Sequence, residues 1–180
     1  GSTISVNVNS GGATSSGIEV DATAYITDRF SIRGAIALIN PEYKNGVRDG
    51  EVFSPCGELV GTRVIVSGCS SLVGGNQLAR TTATQIALNV NYSIPDVIGD
   101  FEFYARGDYS YQESNYNLSL NQANQGDINL LNLRLGLVNE RIEISAWVDN
   151  VLDEKWNRRV TVAPSVGDGA PLSGVQQMRM

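Results

Sequence analysis

Apolar and polar residues alternate with a period of two along most of this chain. No stretch carries the spacing of about 3.6 residues that marks an amphipathic helix. From Ser16 to Thr27 the apolar set is Ile18, Val20, Ala22, Ala24 and Ile26, interleaved with Glu19, Asp21, Thr23 and Tyr25. A short Asp28-Arg29 turn separates this run from a second, Phe30–Asn40, whose other face is also fairly apolar. Thr81–Ile94 sets Ile86, Leu88, Val90, Tyr92 and Ile94 against Ala87, Asn89, Asn91 and Ser93. Phe101–Ser114 is the clearest run. Phe101, Phe103, Ala105, Gly107, Tyr109 and Tyr111 alternate with Glu102, Tyr104, Arg106, Asp108, Ser110 and Gln112.

Two more runs follow. Asn129–Val138 sets Leu131, Leu133, Leu135 and Leu137 against Asn132, Arg134 and Gly136. Arg141–Asn150 sets Ile142, Ile144, Ala146 and Val148 against Glu143, Ser145, Trp147 and Asp149, with strand character continuing to about Val162. A Pro/Gly-rich loop, Pro164–Gly174, precedes a last strand that begins near Val175 and is cut off at Met180. The pattern predicts an all-β, antiparallel, up-and-down arrangement.

The connections alternate in length. Those near Asp28, Pro95 and Asn139 are short, and those after Asn40, Ser114 and Ala163 are long. Transmembrane barrels have this asymmetry, with short periplasmic turns and longer extracellular loops. The runs also exceed the usual soluble strand of about 5–6 residues. Phe101 to Tyr111 spans roughly ten steps of about 3.3 Å. At a tilt of about 45° this covers roughly 23 Å along the membrane normal, near the apolar band of about 25 Å in such barrels. The apolar set is aromatic at both ends and small in the middle, as two interfacial girdles require.

Face assignment then follows from solvation. Hydrocarbon offers no partner to an open backbone, so the sheet must close on itself. Lipid takes the apolar set. The wet lumen takes Glu102, Tyr104, Arg106, Asp108, Asn132, Arg134 and Glu143. Arg106 and Asp108, two apart on one face, are read as part of a luminal charge network. About six full strands and a truncated seventh cannot close a barrel of this kind, so residues 1–180 are expected to be a fragment.

Composition narrows the function. Apolar residues make up 42% of the chain, yet no run is long enough for a membrane helix. Acidic residues outnumber basic ones, 19 to 13, which argues against nucleic acid as a partner. Histidine is absent, which removes the usual general base and the commonest metal ligand. No enzyme, cofactor or metal site is therefore expected. Asp49 and Glu51 lack the oxygen-rich spacing of a calcium loop. Gly74-Gly75-Asn76 is a turn with no helix after it to cradle phosphate. Cys56 and Cys69 lie in a Gly/Ser-rich stretch at a spacing that suits no metal pair. They are read as a disulfide closing a loop, which implies an oxidising compartment, with two free thiols as the alternative.

The most specific stretch is Trp147-Val148-Asp149-Asn150-Val151-Leu152-Asp153-Glu154-Lys155-Trp156. It resembles the signature near the C-terminus of TonB-dependent outer-membrane receptors, with Asn150, Asp153, Lys155 and Trp156 carrying the match. Gly17–Asp21, Tyr104–Tyr111 and Asn132–Gly136 resemble other barrel strands of that family less specifically. The resemblance implies the C-terminal segment of a large barrel of about 22 strands, with the plug domain and N-terminal strands absent. It further implies outer-membrane lipid, the TonB energy-coupling complex (through the plug) and a small-molecule cargo such as a ferric siderophore as partners. On the residues alone, Asn150 and Asp153 are read as caps of a bulge or turn, because Asn and Asp hydrogen-bond nearby backbone. A porin or adhesin-type barrel and a soluble carbohydrate-binding β-sandwich remain as alternatives.

Overall fold

Residues that alternate this strictly suit extended strands that pair side by side. The computed structural model describes residues 11–49, 58–60, 63–65, 71–119, 121, 124–162 and 175–179. Its centre is a six-stranded antiparallel sheet in simple sequence order. The strands are β1 (Ala13–Thr27), β2 (Phe30–Tyr43), β3 (Thr84–Ile98), β4 (Phe101–Gln112), β5 (Ile128–Val138) and β6 (Glu143–Val148). Each strand pairs with the next, so the sheet is an up-and-down meander with two open edges. No helix of the described residues is long and apolar enough to cross a membrane, which has no bearing on crossing by strands.

The register carries the alternation from strand to strand. Ala24 pairs with Ile32, Ile32 with Val90, Val90 with Gly107, Gly107 with Leu133 and Leu133 with Val148. That row belongs to one apolar face. Near its short-turn end the rings of Phe30 and Tyr92 meet edge to face, with centroids 6.4 Å apart. Toward the long loops, the Tyr109 hydroxyl donates to Asn129 Oδ1 and the Tyr111 hydroxyl to Asp127 Oδ2. Gly107 lies in the row between them, while Ala105 pairs with Tyr92 and Gly34 with Leu88, the partner of Tyr109. Aromatic side chains toward both ends of this face follow the order expected of a membrane wall.

Among the described residues, this face keeps large apolar side chains exposed. Ile18, Val20, Ile144 and Val148 are each more than half exposed. Among the described residues, the buried hydrophobic side chains Val47 and Val73 lie in the segment between β2 and β3, and Pro41 near the end of β2 is buried as well. Among the described residues, the small enclosed core therefore sits in the connection between β2 and β3 and not on the sheet.

Several boundaries differ from the sequence reading, each for a local reason. β2 continues through Pro41 to Tyr43, and β1 starts at Ala13 opposite it. Pro41 is tolerated because the ladder to β3 has ended by then, at Leu38 and Thr84, with a last bond from Ile39 N to Ala83 O. The long connection expected after Asn40 contains two short ladders, Arg48–Asp49 with Ser71–Leu72 and Glu58–Val60 with Arg63–Ile65. β3 runs on through Pro95 to Ile98, with a register irregularity between Ile94 and Ile98. Asp96 at φ 53° falls in that irregularity, and the reversal expected near Pro95 is made further on, at the Gly99 turn with φ 63°.

The expected continuous strand from Arg141 to Val162 is broken in two. β6 ends at Val148, the chain turns, and Asn157–Val162 pairs instead with Val175–Arg179 in a separate ladder. Asn150 and Asp153, both at positive φ, are the cause. The Pro164–Gly174 loop, Met180 and both cysteines lie outside the described residues.

Candidate functional site: the polar face of the sheet

The same register gathers the polar residues on the opposite face. One row runs Tyr25, Ser31, Asn91, Arg106, Arg134 and Trp147 across all six strands. The adjacent row runs Thr23, Arg33, Asn89, Asp108 and Asn132. Tyr104 opposes Gly136, and Val138 lies between Glu102 and Glu143. Glu102, Tyr104, Arg106, Asp108, Asn132, Arg134 and Glu143 thus share one face, as parity required.

Their side chains join into short hydrogen-bonded runs. Asn91 Nδ2 donates to Asn89 Oδ1 at 2.5 Å, and Asn89 Nδ2 donates to Asp108 Oδ1 at 2.5 Å. Arg106 closes on the same carboxylate through Nε at 2.8 Å and Nη2 at 3.0 Å. On the next strands Arg134 Nη2 donates to Glu143 Oε1 and to Ser145 Oγ, both at 3.1 Å. The Tyr104 hydroxyl reaches Glu143 Oε1 at 2.5 Å. Arg33 pairs with Asp21 at 3.2 Å.

Arg106 and Arg134 are direct cross-strand partners, an arrangement that like charges disfavour. Each guanidinium turns away from the other. Arg106 folds along its own strand to Asp108, and Arg134 reaches across to β6. The pairs are about half exposed, so solvent screens them and their value to stability is small. What they supply is a face whose charges are matched close at hand.

Tyr104 shows how backbone and side chain cooperate here. A Cβ on Gly136 would stand 2.5 Å from Tyr104 Cε1, so the ring lies over the glycine. That seat brings the hydroxyl to Glu143 on the far strand. The sequence reading placed Tyr104 on this face and did not foresee Gly136 as its seat. A glycine inside a strand is the signal that points to such a close approach. Arg33 was also missed, because its strand reads as apolar on both faces.

The turn after β6 is held by Asn150. Its Oδ1 accepts from Glu154 N at 2.9 Å and its Nδ2 donates to Glu154 O at 3.0 Å. Asp153 N donates to Asn150 O at 3.0 Å, and Asn150 N donates to Asn132 Oδ1 at 2.8 Å. The turn is thereby tied to the polar face. Lys155 and Asp153 form an exposed ion pair at 3.2 Å. Trp156 is half-buried and lines a cavity of about 710 Å³ over Ala35, Ala37, Ala87 and Leu130. The four motif residues therefore have separate placements: Asn150 organises the turn, Asp153 and Lys155 lie on the surface, and Trp156 stands over the sheet.

Among the described residues no group of three or more His, Cys, Asp or Glu side chains could hold a metal ion. The face offers hydrogen bonds, paired charges and aromatic edges, which suit a hydrated wall.

A two-faced antiparallel meander of long strands, with one apolar and one polar surface, has the form of a segment of a β-barrel wall. The chain is similar in structure to the ferric yersiniabactin uptake receptor FyuA from Yersinia pestis, with a TM-score of 0.67 and 23% sequence identity. The match covers 87% of this chain and 21% of that one, so the chain spans about a fifth of the receptor's length. At this identity the likeness is one of fold. No family model matches the sequence, and no curated protein matches it.

Proposed function

We propose that this chain is part of the barrel of a TonB-dependent outer-membrane receptor, from its C-terminal region, and that the whole protein takes up a scarce nutrient. The observation that carries the reading is the two-faced sheet itself, similar in fold over 87% of the chain to the uptake receptor FyuA. The Asn150–Trp156 motif supports the C-terminal placement. The apolar face then meets lipid, and Glu102, Tyr104, Arg106, Asp108, Asn132, Arg134 and Glu143 face the lumen. The open edges of β1 and β6 pair with neighbouring strands, because an unpaired backbone edge in hydrocarbon costs several kcal/mol per group. The cargo is a small chelate of the ferric-siderophore kind, moved by an energised inner-membrane complex acting on a plug. No bond is made or broken.

The test uses the complete protein in a bacterium stripped of its own ferric-chelate receptors. Growth on ferric chelates as sole iron source should be restored, and should disappear when the energy-coupling complex is deleted. Leakage of small solutes independent of energy would indicate a porin-type barrel. Purification without detergent as a soluble monomer would indicate a β-sandwich. Either result sinks the proposal.

A further inference from the structure

The described parts of the two long connections, between β2 and β3 and between β4 and β5, are joined to each other. Thr82 sits at the join. Its Oγ1 accepts from Gln112 Nε2 at 2.9 Å and from Asn115 Nδ2 at 3.3 Å. Nearby, Arg80 N donates to Tyr116 O at 2.6 Å, and Asn76 Nδ2 donates to Ser119 O at 2.9 Å. Thr82, Asn115, Asn117 and Ser119 are all buried. Arg80 holds a left-handed backbone at φ 60°, a conformation that persists only where its surroundings impose it.

The geometry points to a single latched unit: residues 73–83 of one connection and 115–119 of the other open and close together, with Thr82 as the shared catch. The join is suited to opening. It is polar, the apolar side chains enclosed beside it are small, and Asn115 Oδ1 and Asn117 Nδ2 are buried with no partner among the described residues. Segments with little apolar burial and imperfectly satisfied polar groups open before the ladder does. Opening is shared because one hydroxyl serves a residue at the end of β4 and a residue of the following loop at once.

Hydrogen exchange on the complete protein in lipid, read by mass spectrometry, tests this whatever the cargo is. Thr82→Val keeps the shape and removes the acceptor. It should speed exchange at least tenfold in residues 73–83 and in residues 115–119 together. Thr82→Ser keeps the acceptor and should match the unmodified protein. Amides of β4 should stay protected in both variants. Acceleration of one loop alone, or of neither, overturns the proposal. If Thr82→Val also exposes β4, Asn76→Ala serves instead, since it removes the second tie without touching Thr82. Both loops should then exchange several-fold faster, and an unchanged 115–119 segment overturns the proposal.

Discussion

Tyr104 lies across Gly136, with its ring where a glycine Cβ would be and its hydroxyl on Glu143. Two opposing effects meet there. Glycine in a strand costs roughly 0.5–1 kcal/mol relative to alanine. Gly136→Ala recovers that amount and lifts the ring off its seat, which breaks the bond to Glu143. A net loss of about 1 kcal/mol is expected when Tyr104 is present. In a Tyr104→Ala background the same change should stabilise by about 0.5 kcal/mol. Urea unfolding of the complete protein in vesicles checks the reversal of sign, and equal effects in both backgrounds would refute the seat.

Ala105 and Arg106 are neighbours on opposite faces of β4 and should differ sharply in tolerance. An arginine placed at Ala105, on the proposed lipid side near mid-membrane, is expected to cost about 2–4 kcal/mol. Arg106→Ala, on the polar face, is expected to cost less than about 1 kcal/mol, since its ion pair is half exposed. A folding titration in vesicles reads both. Equal costs would contradict the assignment of faces.

Asn150 combines a backbone requirement with a side-chain one. Asn150→Ala loses two amide hydrogen bonds, at about 0.5–1.5 kcal/mol each. It also forces alanine into a left-handed backbone, at about 1–2 kcal/mol. Asn150→Gly loses only the bonds. The alanine variant should therefore be the less stable by about 1 kcal/mol or more in thermal or urea unfolding. Equal stability would mean that the φ of 53° costs nothing here.

The elements were legible where parity was clean, and blurred where chemistry of another kind intervened. β4 starts at Phe101, as read, because its alternation has no exception and its turn has no competitor. β3 was cut short at Ile94 because Pro95 reads as a breaker, whereas a strand near its irregular end accommodates it. The break after Val148 was hidden for a different reason. Asn150 and Asp153 were recognised as turn-forming residues, but the alternating residues around them read as one strand. The polar face was legible residue by residue, since period two assigns faces without tertiary information. Its partners were not. Arg106 opposing Arg134 depends on register, and register depends on turns whose geometry the sequence only outlines.

Cys56 and Cys69 remain a reading of the sequence alone. A bridge between them closes about 14 residues and restricts the unfolded chain by about 3 kcal/mol on the entropy model. Thiol labelling of the oxidised, complete protein should find both unreactive until a reductant is added. Reactivity without reductant would leave two free thiols.

The pairing of Asp21 with Arg33, Asp108 with Arg106 and Glu143 with Arg134 has a consequence for the proposed uptake. Opposite charges set this close act as small dipoles, whose pull fades with distance faster than that of a lone ion. On the proposed lumen side, a charged cargo sliding past such a surface meets shallow wells and dwells briefly in each. In the proposed transporter such shallow wells favour passage, because a wall that gripped its cargo would slow release as much as it helped entry.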